Sequence, residues 1–210
     1  MNGIIDFCKT VCYNLLLEKT IKRQCITMTK AKTKTLSADI ALIALFAALI
    51  AVCSWVSIPL TVPITLQTFA VFMAVGTLGM KKGTLSVLVY ILLGAVGAPV
   101  FSGFRGGASV LIGTTGGYIV GFILSALFCG YIIDKFPQKI WVSALAMAAG
   151  LIVCYAFGTA WYVIAYARSS GAVGVGSVLM ACVVPFILPD ALKIAAAAIL
   201  SQRIKKHIKY

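Results

Sequence analysis

The sequence predicts an all-α integral membrane protein with six transmembrane helices and a re-entrant or extended outer loop after the first helix. Three observations support this class: 61% of the 210 residues are hydrophobic, the mean hydropathy is +1.05, and only 11% of the residues are charged. A typical soluble domain has about 25% charged residues and about 45–50% apolar ones. A soluble chain of this size cannot bury so much apolar surface, so lipid must cover it.

Six apolar runs are predicted to span the membrane, since a spanning helix needs about 20 mostly apolar residues. They cover residues 38–56, 65–80, 83–98, 114–133, 140–166 and 178–202, the last of them interrupted by Pro185 and Pro189. We therefore expect a basic cytoplasmic extension over 1–37, a six-helix membrane domain over 38–202 and a basic cytoplasmic tail over 203–210. Translation from Met28 is an alternative that would shorten the extension.

The distribution of Lys and Arg predicts how these helices are oriented. With a cytoplasmic N-terminus, 15 of the 18 cations lie in cytoplasmic segments, Arg105 and Arg168 lie outside, and Lys193 lies within the sixth helix. Such an excess of cations is the usual signal for cytoplasmic segments. We therefore expect a multi-pass protein of the cytoplasmic membrane with both termini inside. The clustering at helix ends also argues against nucleic acid as the partner of this chain, whose net charge is +13.

The sequence contains no pattern typical of an enzyme or of a metal site. Four of the seven cysteines lie inside apolar runs, where Cys behaves as a small hydrophobic residue, and His207 is the single histidine. We find no nucleophile–base arrangement and no ATP-binding motif. The chain is therefore expected to need no cofactor or metal and to have no ATPase activity of its own.

A carboxylate and an amine lie inside the sixth apolar run, at Asp190 and Lys193. Three residues apart, they share one face of a helix. Each costs about 2.5–3.5 kcal/mol to insert into hydrocarbon, so they form either a self-neutralising ion pair or a functional site. Pro189 favours the site, because proline suits the first turn of a helix and would place Asp190 near the positive end of the helix dipole.

Polar groups follow the first apolar run. Pro59 and Pro63 favour an extended segment, after which Thr65 and Gln67 bring a hydroxyl and an amide to the start of the second helix. These two side chains are either a helix cap or ligand-binding groups.

A glycine-rich stretch covers residues 94–118 and contains Phe101, Phe104 and Tyr118. Glycine permits close approach of the backbone to a ligand, although helix packing is the more usual role of glycine in membrane helices. The three aromatic side chains could form the wall of a pocket.

Helix 1 has small residues at four-residue spacing, in the pairs Ala44 with Ala48 and Ala47 with Ala51. Such a face lets another helix approach closely. Packing within the chain and contact with a partner subunit are both compatible with this pattern.

Four motifs in this order resemble the BioY family, the biotin-specific substrate-binding component of energy-coupling-factor transporters: VPITLQ, GAVGAPVFSGFRGG, GTTGGYIVGF and LPDALK. The likeness covers about residues 38–202, with Ala98 and Thr114 where the family pattern has Leu and Pro. The resemblance implies a six-helix subunit with an external biotin pocket. It also implies a separate transmembrane coupling protein and two ATP-binding subunits as partners.

By motif match, the resemblance further implies the roles of particular residues. Biotin would contact Gln67, Phe101, Arg105, Gly106, Gly107, Tyr118, Asp190 and Lys193, and the coupling protein would contact Ala44, Ala47, Ala48 and Ala51. Arg105 is a candidate partner for the biotin carboxylate, because that group needs a cation or free N–H groups near the mouth of the pocket. The expected function is high-affinity biotin uptake; the alternative is a self-sufficient secondary transporter or channel for biotin or another small vitamin.

Overall fold

The computed structural model describes residues 36–59, 62–136, 139–170 and 174–207. The chain divides into an N-terminal unit, Met1–Ala41, and a main unit, Leu42–Tyr210. Only residues 36–41 of the N-terminal unit are described, and they are helical. The predicted extension over 1–37 therefore lies almost entirely outside the described residues. All contacts given below lie within the main unit.

The described residues are mainly helical. The helices are α1 Leu36–Trp55, α2 Gln67–Ala95, α3 Ala108–Ile112, α4 Gly116–Lys135, α5 Ile140–Ser170, α6 Val175–Cys182 and α7 Val184–His207. Two short antiparallel strands, β1 Ser57–Ile58 and β2 Ile64–Thr65, pair Ser57 with Thr65 and Ile58 with Ile64. In the described part of the chain, five helices are long and apolar enough to cross a membrane, namely α1, α2, α4, α5 and α7.

The helix α2 is a hairpin rather than one straight rod. Gly79 has φ 78° and ψ −177°, a conformation that only glycine adopts easily. A methyl group on Gly83 would lie 2.6 Å from the Cα of Val75, whereas these two residues are about 12 Å apart along a straight helix. The side-chain amide of Gln67 (Nε2) also donates to the hydroxyl of Tyr90 at 3.1 Å. The two halves of α2 therefore lie side by side, and the chain turns at Gly79 rather than at the predicted residues 81–82.

Three of the predicted helices are confirmed to within a few residues, namely those that correspond to α1, α4 and α5. The interval 167–177, left between the fifth and sixth predicted helices, is shorter in the structure, because α5 continues to Ser170 and α6 begins at Val175. The predicted tail over 203–210 also begins inside a helix, since α7 continues to His207.

The predicted sixth helix is divided at Val183, which separates α6 from α7. Pro185 is the second residue of α7, where its missing N–H has no intrahelical partner to lose. Pro189 lies inside α7, so the prediction that it begins the helix is wrong. Asp190 is consequently the seventh residue of the helix, beyond the first turn to which the dipole effect is confined.

Among the described residues, a large buried apolar cluster has contributions from α1, α2, α4, α5 and α7. A second, smaller cluster consists of Val62, Tyr118, Tyr162, Val178, Cys182 and Phe186. Large apolar side chains are also exposed on the outer faces of the helices, including Trp141, Leu145 and Leu188. In water such exposure would be unfavourable, whereas hydrocarbon solvates it without cost. The packing thus agrees with a multi-pass membrane protein.

Candidate ligand-binding site

A cavity opens between the β1–β2 hairpin, the segment after α2 and the helices α4 to α7. Its empty volume, counted together with the open solvent at its mouth, is about 730 Å³. Most of its wall is apolar and consists of Val62, Pro63, Phe101, Val110, Ile119, Phe122, Leu151 and Phe186. A small group of polar side chains also lines the cavity, as is typical of a site that binds an organic ligand.

Six of the eight predicted biotin-contacting residues line this cavity, namely Gln67, Phe101, Arg105, Tyr118, Asp190 and Lys193. They come from four separate parts of the chain that only folding brings together. Gly106 and Gly107 are not among the lining residues.

The predicted ion pair is present and buried. Lys193 Nζ lies 2.7 Å from Asp190 Oδ1, and only 8% of Lys193 and 1% of Asp190 are exposed. The ammonium also donates to the backbone oxygen of Thr65 at 2.6 Å. Lys193 therefore links α7 to strand β2, which places the β1–β2 hairpin against the cavity.

Two further residues, Thr68 and Tyr155, complete the polar group around Asp190. The hydroxyl of Thr68 donates to Asp190 Oδ1 at 3.1 Å, and the hydroxyl of Tyr155 donates to Asp190 Oδ2 at 2.5 Å. Sequence reasoning missed both. Thr68 directly follows the VPITLQ motif, a signal that could have included it, whereas Tyr155 lies in a long apolar run with nothing in the sequence to single it out.

Two other pairs of polar side chains hold the walls in place. The Gln67 amide donates to Tyr90 across the α2 hairpin, and the hydroxyls of Tyr118 and Thr159 lie 3.2 Å apart between α4 and α5. Because buried polar groups without partners are costly, these bonds favour one arrangement of the helices around the cavity.

The segment after α2 is tied to the end of α1. The hydroxyl of Ser54 donates to the backbone oxygen of Val100, and the indole N–H of Trp55 donates to that of Pro99 at 2.9 Å. Phe101 is buried and packs edge-on against Tyr90, with ring centroids 5.6 Å apart. Phe101 is thereby positioned as part of the cavity wall.

Arg105 lies at the open mouth of the cavity and is exposed, and its Nε donates to the backbone oxygen of Ser102 at 3.2 Å. Phe104 does not line the cavity, so the suggestion that it forms part of the wall is wrong. Its side chain is 64% exposed and stacks on Trp55 instead, with ring centroids 5.1 Å apart.

The two predicted glycines serve the backbone of this segment. A methyl group on Gly106 would lie 2.3 Å from the backbone oxygen of Ala98, and the N–H of Gly107 donates to the oxygen of Gly94 at 2.7 Å. Both close the segment back onto the end of α2. At Gly106 a side chain would have no room, whereas Gly107 has φ 98°, a conformation that glycine adopts without strain.

The four alanines of α1 fall into two pairs. Ala47 and Ala51 are buried in the apolar core of the main unit, whereas Ala44 and Ala48 are exposed. All four lie within one stripe of the helix, about 100° wide at 3.6 residues per turn. Ala47 and Ala51 are on the side of the stripe next to the buried Phe46 and Ile50, so they pack inside the chain. Contact with a partner stays a prediction for the exposed Ala44 and Ala48.

Comparisons with known proteins show which family this chain belongs to. The sequence matches the BioY family over residues 26–210. The "Biotin transporter BioY" of Thermotoga maritima is 45% identical over 163 residues, which are 77% of this chain and 92% of that protein. The "Probable biotin transporter BioY" of Pyrococcus horikoshii is 40% identical over 168 residues, 80% of this chain and 96% of that protein.

A solved structure has the same fold. The crystal structure at 2.1 Å of the S-component for biotin from an ECF-type ABC transporter superposes with a TM-score of 0.74 and 26% sequence identity. The superposition covers 82% of this chain and 93% of that chain. On the extent of these matches, this chain belongs to the BioY family.

Proposed function

We propose that this chain is the biotin-binding subunit of an energy-coupling-factor transporter. In this role it takes up biotin across the cytoplasmic membrane together with a separate transmembrane coupling protein and two ATP-binding subunits. The observation that carries the proposal is the buried Asp190–Lys193 pair at the polar side of a mostly apolar cavity. Membership of the BioY family, whose relatives are named biotin transporters, supports biotin as the ligand.

The hydrogen-bonding capacity of the pair matches one edge of a cyclic urea. Lys193 has three N–H donors, of which Thr65 and Asp190 accept two. The Asp190 carboxylate has about four acceptor positions, and three donors among the described residues occupy three of them. One donor and one acceptor remain, and the ureido ring of biotin presents a carbonyl oxygen beside an N–H.

The remainder of the cavity suits the rest of the biotin molecule. The fused rings and the aliphatic chain need apolar walls, which Phe122, Leu151 and Phe186 supply. The carboxylate then extends toward the mouth, where Arg105 is the nearest candidate cation among the lining residues. This orientation keeps the charged end of biotin in contact with water.

The membrane topology that we propose has six spans with both termini in the cytoplasm. The turn of α2 at Gly79 supports this count, since it divides one 29-residue helix into two antiparallel halves. The excess of Lys and Arg in the segments assigned to the cytoplasm supports the orientation. In this arrangement the exposed Ala44 and Ala48 of α1 form the face for the coupling protein.

Calorimetry of the detergent-purified protein with biotin, riboflavin and thiamine tests the proposed ligand. We expect saturable binding of biotin alone, and preferential binding of either other vitamin would overturn the assignment. Uptake of biotin by cells that contain this chain but lack the coupling protein and the ATP-binding subunits would favour a self-sufficient transporter instead.

A further inference from the structure

We propose that Tyr155 is a specificity-determining residue for the ligand ring. Its hydroxyl, together with that of Thr68, makes the buried carboxylate of Asp190 select a neutral cyclic urea over a cationic ring. This inference rests on the proposed function, since it assigns the ureido ring of biotin to the Asp190–Lys193 end of the cavity.

Tyr155 lies between the ligand cavity and the carboxylate of Asp190. Tyr155 lines the ligand cavity and also lines an apolar groove between α5, α6 and α7. Its ring therefore forms part of the wall, and its hydroxyl reaches Asp190 Oδ2 at 2.5 Å. The oxygen that Tyr155 contacts is also the one that has an acceptor position left for a ligand, because Oδ1 already receives Lys193 and Thr68.

The negative charge of Asp190 is balanced by the groups around it. Asp190 is ion-paired with Lys193, and its two oxygens share three hydrogen bonds. Hydrogen bonds that are donated to a carboxylate disperse its negative charge. The carboxylate therefore presents a weakened charge to the ligand, together with an ammonium that still needs an acceptor. A neutral urea supplies both an N–H and a carbonyl oxygen, whereas a guanidinium supplies donors only and is repelled by Lys193.

Replacing Tyr155 by Phe removes the hydroxyl and keeps the ring in the wall. Asp190 Oδ2 then loses its donor within the protein and becomes more negative toward the ligand. We expect binding of biotin to weaken, because the carboxylate is no longer held in place. We expect a cationic ligand to lose less affinity or to gain some, because it meets a stronger negative charge.

The experiment compares biotin with 2-iminobiotin, in which a guanidinium replaces the urea at neutral pH. Dissociation constants for both are measured by calorimetry at pH 7 on the detergent-purified full chain, for the parent and for Tyr155→Phe. The matched control is Tyr162→Phe on the same helix, whose ring stacks on Tyr166 and does not line the cavity. We expect Tyr155→Phe to reduce the preference for biotin over 2-iminobiotin by about tenfold, the effect of one hydrogen bond to a charged group, and Tyr162→Phe to leave it unchanged.

The possible outcomes separate this inference from the proposed function. A parent protein that does not bind biotin would overturn the function itself. A parent that binds biotin, with a Tyr155→Phe variant that loses affinity for both ligands by the same factor, would overturn only the specificity role and leave Tyr155 as a structural residue. If Tyr155→Phe does not fold, Thr68→Val removes the second hydroxyl from Asp190, and an unchanged preference in that variant would equally refute the inference.

Discussion

Replacing Asp190 by Asn is expected to weaken biotin binding by about ten- to one-hundred-fold. The carboxylate is 1% exposed and accepts from Lys193 Nζ at 2.7 Å, Thr68 at 3.1 Å and Tyr155 at 2.5 Å. An amide keeps one acceptor oxygen but turns the other position into a donor, which then faces either an ammonium or a hydroxyl. A hydrogen bond to a charged partner is worth about 1.5–3 kcal/mol, and 1.4 kcal/mol is about tenfold in affinity.

Asp190→Ala is expected to be more severe than Asp190→Asn. It leaves Thr68, Tyr155 and Lys193 without their shared acceptor, and the ammonium stays buried. Removing one partner of a buried ion pair typically destabilises a protein by about 3–5 kcal/mol. Lys193→Met keeps most of the apolar stem and removes the donor to Thr65 and to the ligand, so we expect at least about tenfold weaker binding.

Calorimetry with biotin measures these effects, and size-exclusion chromatography of the membrane extract shows whether each variant folds. Asp134→Asn is the matched control, because Asp134 is a carboxylate outside the cavity that accepts the N–H of Met80, and an amide oxygen can still do so. The double variant Asp190→Ala with Lys193→Met decides between the two interpretations of the pair. If it folds and binds biotin as the parent does, the pair only neutralises itself and the ligand role is refuted.

Three further predictions follow from the topology, the extension and the exposed face of α1. In a chain depleted of native cysteines, a cysteine at Arg105 should react with an impermeant reagent from outside and one at Lys81 only after permeabilisation; the reverse pattern would invert the proposed orientation. A chain that starts at Met28 should insert and bind biotin normally, and a loss of binding would show that the preceding residues matter. Ala48→Trp should weaken co-purification with the coupling protein and spare biotin binding. Ala47→Trp should instead destabilise the chain itself by about 1–3 kcal/mol through overpacking. If Ala48→Trp and the parent co-purify equally well with the coupling protein, Ala48 is not part of the interface.

The membrane class, most of the helices and part of the site could be predicted from the sequence. Hydrophobic runs of sufficient length identify spanning helices directly, because lipid leaves the backbone few alternatives. The pair Asp190 and Lys193 stands out in the same way, since charged residues are rare and costly inside an apolar run. Such signals are local and need no knowledge of the neighbouring helices.

Local sequence signals gave the wrong start for the last helix and the wrong position for the turn within α2. Pro189 in a sequence favours a helix start, yet α7 begins five residues earlier at Val184, because Pro185 already occupies its first turn. The turn between the two halves of α2 falls at Gly79 rather than at Lys81, because the backbone conformation there requires a residue without a side chain.

That this chain lies in a membrane, resembles the BioY family and carries a charged pair within its last apolar run can be inferred from its residues alone. Which side chains surround that pair, and which alanines of α1 remain exposed, depends on how the helices pack against one another. Thr68 and Tyr155 lie 122 and 35 residues from Asp190 along the chain, yet both donate to its carboxylate. A hydrogen bond of this kind depends on the distance between two atoms across packed helices, and no spacing along one chain segment encodes that distance.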